Sequence, residues 1–203
     1  MDEIFDVSLT GHYCVGKTAV ARRFVNNVYD DGLYIPLEFS CKTIEVETQH
    51  ESQDNGNKKR VRFRVWDISS NYGFRDTRPL QYKRSHNIIL LFDLSNVSSF
   101  EHVPIVYRDI KKYSSSDTIV YLAGNKCDMH AAISKREIYN LCSALGIKYY
   151  EISAKDNIGI DVLFNDMYHE ATKRDLTNKL NNNKNQYSYK LEDTKTDGKC
   201  TML

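Results

Sequence analysis

The segment Gly11-His12-Tyr13-Cys14-Val15-Gly16-Lys17-Thr18 fits G-x-x-x-x-G-K-[ST], and it lies between an apolar run, Ile4–Leu9, and a predicted helix. Few features limit a fold more tightly. Such a loop needs a strand to bring the chain in and a helix to carry it away. Its glycines let the backbone wrap phosphate oxygens, and the helix N-terminus adds positive potential. Amides from about Cys14 to Thr18 would point at the phosphates, Lys17 would bridge the outer ones, and the Thr18 hydroxyl would ligate Mg2+. By itself the loop leaves ATP and GTP equally open.

The rest of the chain agrees with that start. Ile4–Leu9, Val61–Trp66, Ile88–Phe92 and Ile119–Leu122 are short apolar runs rich in β-branched or aromatic residues, as buried strands are. Between and after them, Phe100, Val103, Tyr107 and Ile110 fall at helix spacing, as do Ile138, Leu141 and Leu145, and again Ile160, Phe164, Met167 and Ala171. Ser134-x-x-Glu137 forms a capping-box pattern before the second group. Ser40–Trp66 reads as two strands joined around the turn dipeptide Asn55-Gly56, hence an antiparallel pair at a sheet edge. The expected fold is α/β: a mostly parallel six-stranded sheet with one antiparallel edge strand and helices on both faces.

Residues 1–175 make one domain. The apolar rhythm then stops, and the asparagine- and lysine-rich run Asn178–Asn185 cannot bury enough surface to fold alone, so 176–203 is expected to be a flexible tail. Five lysines against three acids there give only a weak attraction for anionic lipid. No apolar stretch approaches the roughly 20 residues a membrane span needs. The start, Met1-Asp2-Glu3 running straight into Ile4–Val7, lacks a basic secretory n-region, which predicts a cytosolic protein. Five cysteines, Cys14, Cys41, Cys127, Cys142 and Cys200, with no C-x-x-C pair, fit neither a disulfide framework nor a zinc site. A net charge of +1 provides no field for nucleic acid.

Base selection is written in two loops. Asn125-Lys126-Cys127-Asp128 follows the run Ile119–Leu122, and Ser153-Ala154-Lys155 follows Tyr149–Ile152, both at strand ends where open α/β sheets place ligands. The Asp128 carboxylate can accept two hydrogen bonds from guanine's N1–H and exocyclic amine, a pattern adenine cannot present; this selects GTP/GDP over ATP. With the phosphate loop and Trp66-Asp67, these motifs stand in the order found in the Ras superfamily, which the chain resembles over about residues 4–174. Leu91-Phe92-Asp93-Leu94-Ser95 with Ser99-Phe100, and Tyr149–Lys155, are similar to Rab sequences in particular. The resemblance implies a P-loop NTPase fold, a base held by Asn125 and Asp128, Lys126 packed on it, and the Ala154 amide at its carbonyl oxygen. It also places Tyr29 as the flanking aromatic and Asp67 as the outer-sphere Mg2+ residue.

Other positions depart from that pattern. The first switch of the family carries a Mg2+-ligating threonine, but none occurs between Thr18 and Thr43. Pro36 takes the position counted from Lys17, and a proline has neither hydroxyl nor amide hydrogen. Aligned on the following strand instead, Tyr34–Phe39 is about three residues short of the Rab pattern. The second switch, D-x-x-G-Q in the family, reads Asp67-Ile68-Ser69-Ser70-Asn71. Ser70 adds a Cβ where the backbone must swing, and Asn71, at the usual glutamine position, is one methylene short. A water held about 1 Å out of line can lose about two orders of magnitude in rate. No catalytic residue is therefore assigned, and hydrolysis is expected to be weak. Tyr13 either crowds the γ-phosphate or points to solvent; Cys14 either is a redox-sensitive thiol or only lends its amide. His12 is expected to be a solvent-facing loop residue.

Cys200-Thr201-Met202-Leu203 fits C-a-a-X, with a terminal leucine that favours geranylgeranyl. One lipid chain and a weak basic tail predict reversible residence on the cytoplasmic face of an intracellular membrane, with a cytosolic pool kept by a lipid-binding carrier. The expected function is a Rab-like regulator of vesicle traffic acting with effectors and an exchange factor. The alternatives are a pseudo-GTPase adaptor with constitutive partner binding and a P-loop kinase or ATPase, the latter conflicting with Asn125–Asp128.

Overall fold

The computed structural model describes residues 3–30, 41–48, 59–68 and 78–170. Two compact units are distinguished, Met1–Leu163 and Phe164–Leu203. The first holds β1 (Glu3–Gly11), α1 (Lys17–Asn26), β2 (Cys41–Thr48), β3 (Lys59–Asp67), α2 (Arg78–Arg84) and β4 (Asn87–Asp93). These are followed by α3 (Val97–Glu101), α4 (Val103–Tyr113), β5 (Ile119–Asn125), α5 (Lys135–Leu145) and β6 (Lys148–Glu151). The chain turns helical again at residue 160; of the second unit, residues 164–170 are described and helical.

The sheet order is β2-β3-β1-β4-β5-β6. Its parallel body is five-stranded, from β3 to β6, and the count of six expected from the sequence is reached only when β2 is included. That strand runs antiparallel to β3, with Cys41 opposite Trp66 and Thr48 opposite Lys59. The Asn55-Gly56 turn proposed between them lies outside the described residues.

Burial explains the strand compositions. All seven residues of β4 are buried, as a central parallel strand covered on both sides requires. One face carries Ile88, Leu90, Phe92, Val120 and Leu122 against α4 and α5, through Val103, Ile110, Ile138 and Cys142. On the other face, Phe24 of α1 meets Phe63 edge-on at 6.1 Å, and Phe63 neighbours Phe5 at 6.0 Å. Asp6, Ser8 and Thr10 of β1 are buried too, and they are bonded rather than stranded. Ser8 Oγ lies 2.6 Å from Ser85 Oγ, Thr10 Oγ1 lies 2.8 Å from the Tyr82 hydroxyl, and Asp6 accepts from Trp66 Nε1 at 2.8 Å.

Two helices differ from the sequence expectation. The periodic group Phe100, Val103, Tyr107 and Ile110 suggests one helix, whereas the structure breaks it at His102, which ends α3 and caps α4. Pro104 explains the break: lacking an amide hydrogen, it cannot bond the carbonyl four residues back. The short α2 carries no helical period of apolar residues, since Leu80 and Tyr82 are its only large ones in Arg78–Arg84 and Leu80 is exposed. By contrast α5 starts at the predicted capping box, where Glu137 N donates to Ser134 Oγ at 3.3 Å and Ser134 N to Glu137 Oε2 at 3.1 Å.

Candidate functional site

The parallel strands end on a common rim. Register sets Asp67 beside Leu9, Gly11 beside Leu91 and Asp93 beside Asn125. Because β1 has β3 on one side and β4 on the other, the loop leaving Gly11 starts at the point where strand order reverses.

Backbone conformation shapes that loop. Gly11 and Gly16 have φ of 146° and 92°, where side chains are strained; a Cβ on Gly16 would run into the Asn125 side chain, and one on Gly11 into the Leu91 carbonyl. Cys14 also takes a left-handed φ of 60° and is exposed, and Tyr13 beside it is 65% exposed. Lys17 opens α1 and is buried, its Nζ donating to the carbonyl of His12 at 2.9 Å and of Gly11 at 3.4 Å. Burial lowers the Lys17 pKa to about 8. Thr18 Oγ1 donates to Asp67 Oδ2. Burial pushes the Asp67 carboxyl up, against the opposing pull of Thr18 and Lys17.

His12 does not match the solvent-facing expectation. It is half-buried, with its ring centroid 4.5 Å from that of His102 at the α3/α4 break. The break itself brings His102 there, which residue spacing could not foretell.

Asn125 joins three loops. It is buried at the end of β5; Nδ2 donates to the Val15 carbonyl at 2.9 Å, and Oδ1 accepts from the Ala154 amide at 3.2 Å. Ser153 Oγ donates to Asp128 Oδ1 at 2.6 Å and accepts from the Asp156 amide at 3.0 Å, which fixes the carboxylate at the mouth of the site. Lys126 has φ of 65°, and its Nζ pairs with Asp93 Oδ2 at 2.6 Å. Burial works against the Asp93 carboxylate, but hydrogen bonds from Lys126 and Ser95 hold its pKa below the ordinary value. A cavity of about 400 Å³ opens here, lined by Gly16, Tyr29, Asn125, Lys126, Asp128, Ala154 and Lys155, with Ala19 and Met129. That volume suits a small-molecule ligand, and its wall combines a fixed anionic acceptor with apolar stems.

Two participants escape sequence reading. Asp93 lies inside a quoted Rab-like phrase without an assigned role, and only the ion pair with Lys126 gives it one. Arg23 of α1 reaches across to the Ala154 and Lys155 carbonyls at 2.8 and 2.9 Å. Its one sequence signal is the spacing from Ala19, four residues earlier and so on the same helix face. Pro36, the segment Tyr34–Phe39, Ser69, Ser70, Asn71 and Cys200 lie outside the described residues.

A glycine-shaped loop at the switch point of a parallel sheet, with a buried lysine and a hydroxyl–carboxylate pair beside it, defines a P-loop protein of the α/β class. The sequence pattern of the Ras family matches residues 6–173. The chain is 29% identical over 209 residues to Ras-related protein Rab-13 of Bos taurus, covering 99% of this chain and 97% of that protein. It is 30% identical over 191 residues to Ras-related protein Rab-8A of Bos taurus, covering 92% and 87%, and 28% identical over 170 residues to Ras-related protein Rab-10 of Caenorhabditis elegans, covering 82% and 80%. The chain belongs to the Ras family and is a Rab-like small GTPase of intracellular membrane traffic. Guanine nucleotide and Mg2+ binding, exchange factors, effectors and membrane attachment are typical of that family.

Proposed function

We propose that this chain binds GTP and GDP with Mg2+ in the cavity and loop just described, and that it hydrolyses GTP slowly. The observation that carries the reading is the double hydrogen bond of Asn125, which ties the phosphate loop at Val15 to the base loop at Ala154 beside the fixed carboxylate of Asp128. Asp128 and Asn125 would hold the base, with Lys126 and Tyr29 flanking it. Gly11, Cys14, Val15, Gly16 and Lys17 would hold the phosphates. Gly16, lacking a Cβ, lets the Asn125 amide pack directly against the phosphate loop, so the two halves of the site meet where a side chain would hold them apart. Thr18 and Asp67 already bring two oxygen atoms together. Mg2+ favours such a site, since it takes few protein ligands and completes its shell with phosphate oxygens and water. Bound there, it would neutralise charge on the outer phosphates.

The test is binding of fluorescent GDP and GTP analogues with Mg2+, followed by single-turnover hydrolysis of the loaded complex. Binding of both with slow turnover is expected; turnover at the rate of an intact Rab overturns the hydrolysis part. Pro36, Ser70 and Asn71 favour a second reading, an adaptor whose partner binding ignores the nucleotide. Pull-down of partners from GDP- and GTP-loaded protein separates the two.

Residues 1–175 would form the nucleotide-binding domain, and 176–203 a tail carrying a prenyl group on Cys200. Such a group holds the protein reversibly on the cytoplasmic face of a membrane, with a carrier maintaining the cytosolic pool. Among the described residues no helix is long and apolar enough to cross a membrane. Persistent membrane pelleting of Cys200→Ser contradicts lipid attachment there.

A further inference from the structure

We infer that Arg23 is a positioning residue for base recognition, acting from the back of the loop that follows β6. The guanidinium engages all three of its nitrogens. Nε donates to the Ala154 carbonyl at 2.8 Å, Nη2 to the Lys155 carbonyl at 2.9 Å, and Nη1 to the Asn27 carbonyl at 3.0 Å and its Oδ1 at 3.2 Å. The same group lies 6.0 Å from the centre of the Tyr29 ring. Arg23 therefore ties two pieces of the cavity wall, the base loop and the flanking aromatic, to the end of α1.

Peptide planarity gives this link a consequence at the ligand side. In a trans peptide the N–H points opposite to the carbonyl it shares a plane with. Holding the Ala154 carbonyl outward thus turns the Lys155 N–H inward. Holding the Lys155 carbonyl turns the Asp156 N–H toward Ser153 Oγ, where it is found at 3.0 Å. Arg23 and Ser153 so clamp the loop from opposite ends, and Ser153 also fixes Asp128. The planar fork suits two adjacent carbonyls, whereas a lysine at this position provides one point charge and cannot span both. Arg23 does not line the cavity; it sets the direction of the Lys155 amide, whose residue does.

This inference rests on the guanine-binding reading. The test uses the full-length protein, measuring dissociation of GDP and of 2-aminopurine riboside diphosphate, which keeps the exocyclic amine and phosphates but lacks the base carbonyl and, with it, the N1 proton that Asp128 would accept. Arg23→Ala is expected to speed GDP release about tenfold or more, the scale of one charge-assisted hydrogen bond, while changing release of the carbonyl-free analogue less than about threefold. Arg23→Lys is expected to recover only part of the loss, and if Arg23→Ala does not fold, Arg23→Lys and Arg23→Gln carry the same comparison. Unchanged GDP release, or equal acceleration of both ligands, overturns the proposal. Failure of the unaltered protein to bind GDP instead overturns the nucleotide reading, and this inference with it.

Discussion

The phosphate side and the base side of the cavity are built on different principles. On the phosphate side the functional groups are bonded to one another: Lys17 to the His12 and Gly11 carbonyls, and Thr18 to Asp67. An incoming phosphate and metal would have to replace those contacts. On the base side the bonds are scaffolding that a ligand can leave intact, since Asn125, Ser153 and Arg23 brace loops from within or behind. The difference separates affinity from architecture. Removing a phosphate-side group should cost binding with little cost to the fold, whereas removing a base-side brace should cost both.

The largest effect that could break this comparison is at Lys17. Lys17→Ala is expected to weaken GDP binding about a hundredfold or more in a fluorescence titration, from the loss of charged hydrogen bonds worth roughly 1.5–3 kcal/mol each. The thermal midpoint of the nucleotide-free protein should not fall, because a buried ammonium is itself a cost to folding. A large fall in midpoint would erase the distinction.

Next comes the hydrolytic machinery. Restoring the family pattern with Ser70→Gly and Asn71→Gln is expected to raise single-turnover hydrolysis by up to about two orders of magnitude, the scale of a well-placed attacking water. GDP affinity should stay the same, which would sharpen the division between holding the nucleotide and cleaving it.

Asn125→Ala should act on both properties. It leaves the Val15 carbonyl and the Ala154 amide short of a partner at about 1–3 kcal/mol each. A melting experiment should then show a midpoint several degrees lower, at roughly 2–4 °C per kcal/mol for a chain of this size. GDP affinity should drop in parallel.

The smallest effect is in pH. Lys17 titrates near 8 in the folded protein against an ordinary value of 10.5. Between those values the unfolded chain binds more protons, so the stability of the nucleotide-free protein contributed by this group rises with pH. Phosphate needs the charged ammonium, so GDP affinity should decline above pH 8, by at most about tenfold per unit. Opposite trends in melting and in binding are the signature, and Lys17→Ala should abolish both.

How far the sequence reveals these two sides follows the same physics. The phosphate loop is local, eight consecutive residues between a strand and a helix, and its strand, helix and glycine geometry could be read directly. The Asn125 and Ser153 loops were legible as motifs because each follows a short apolar run. What joins them was not legible. The Asn125 and Arg23 bonds depend on distant segments meeting, and neither hydropathy nor spacing encodes that encounter. The break at His102 was missed because periodicity gave apolar positions more weight than Pro104. The packing of His12 on His102 was lost with it. The helix Arg78–Arg84 has too few apolar residues for its period to show, although Tyr82 is buried and reaches Thr10.

The bonds that brace the base loop span 110, 29 and 131 positions in the chain. Contacts of such separation form only when both segments exist and have docked, so a nascent chain lacks a complete pocket until Lys155 has left the ribosome. Nucleotide can then bind only the finished domain, and it draws the folding equilibrium toward that state in proportion to the logarithm of its concentration over Kd. The cell's guanine nucleotide pool would therefore help set how many copies of this protein survive maturation, before any of them reaches a membrane.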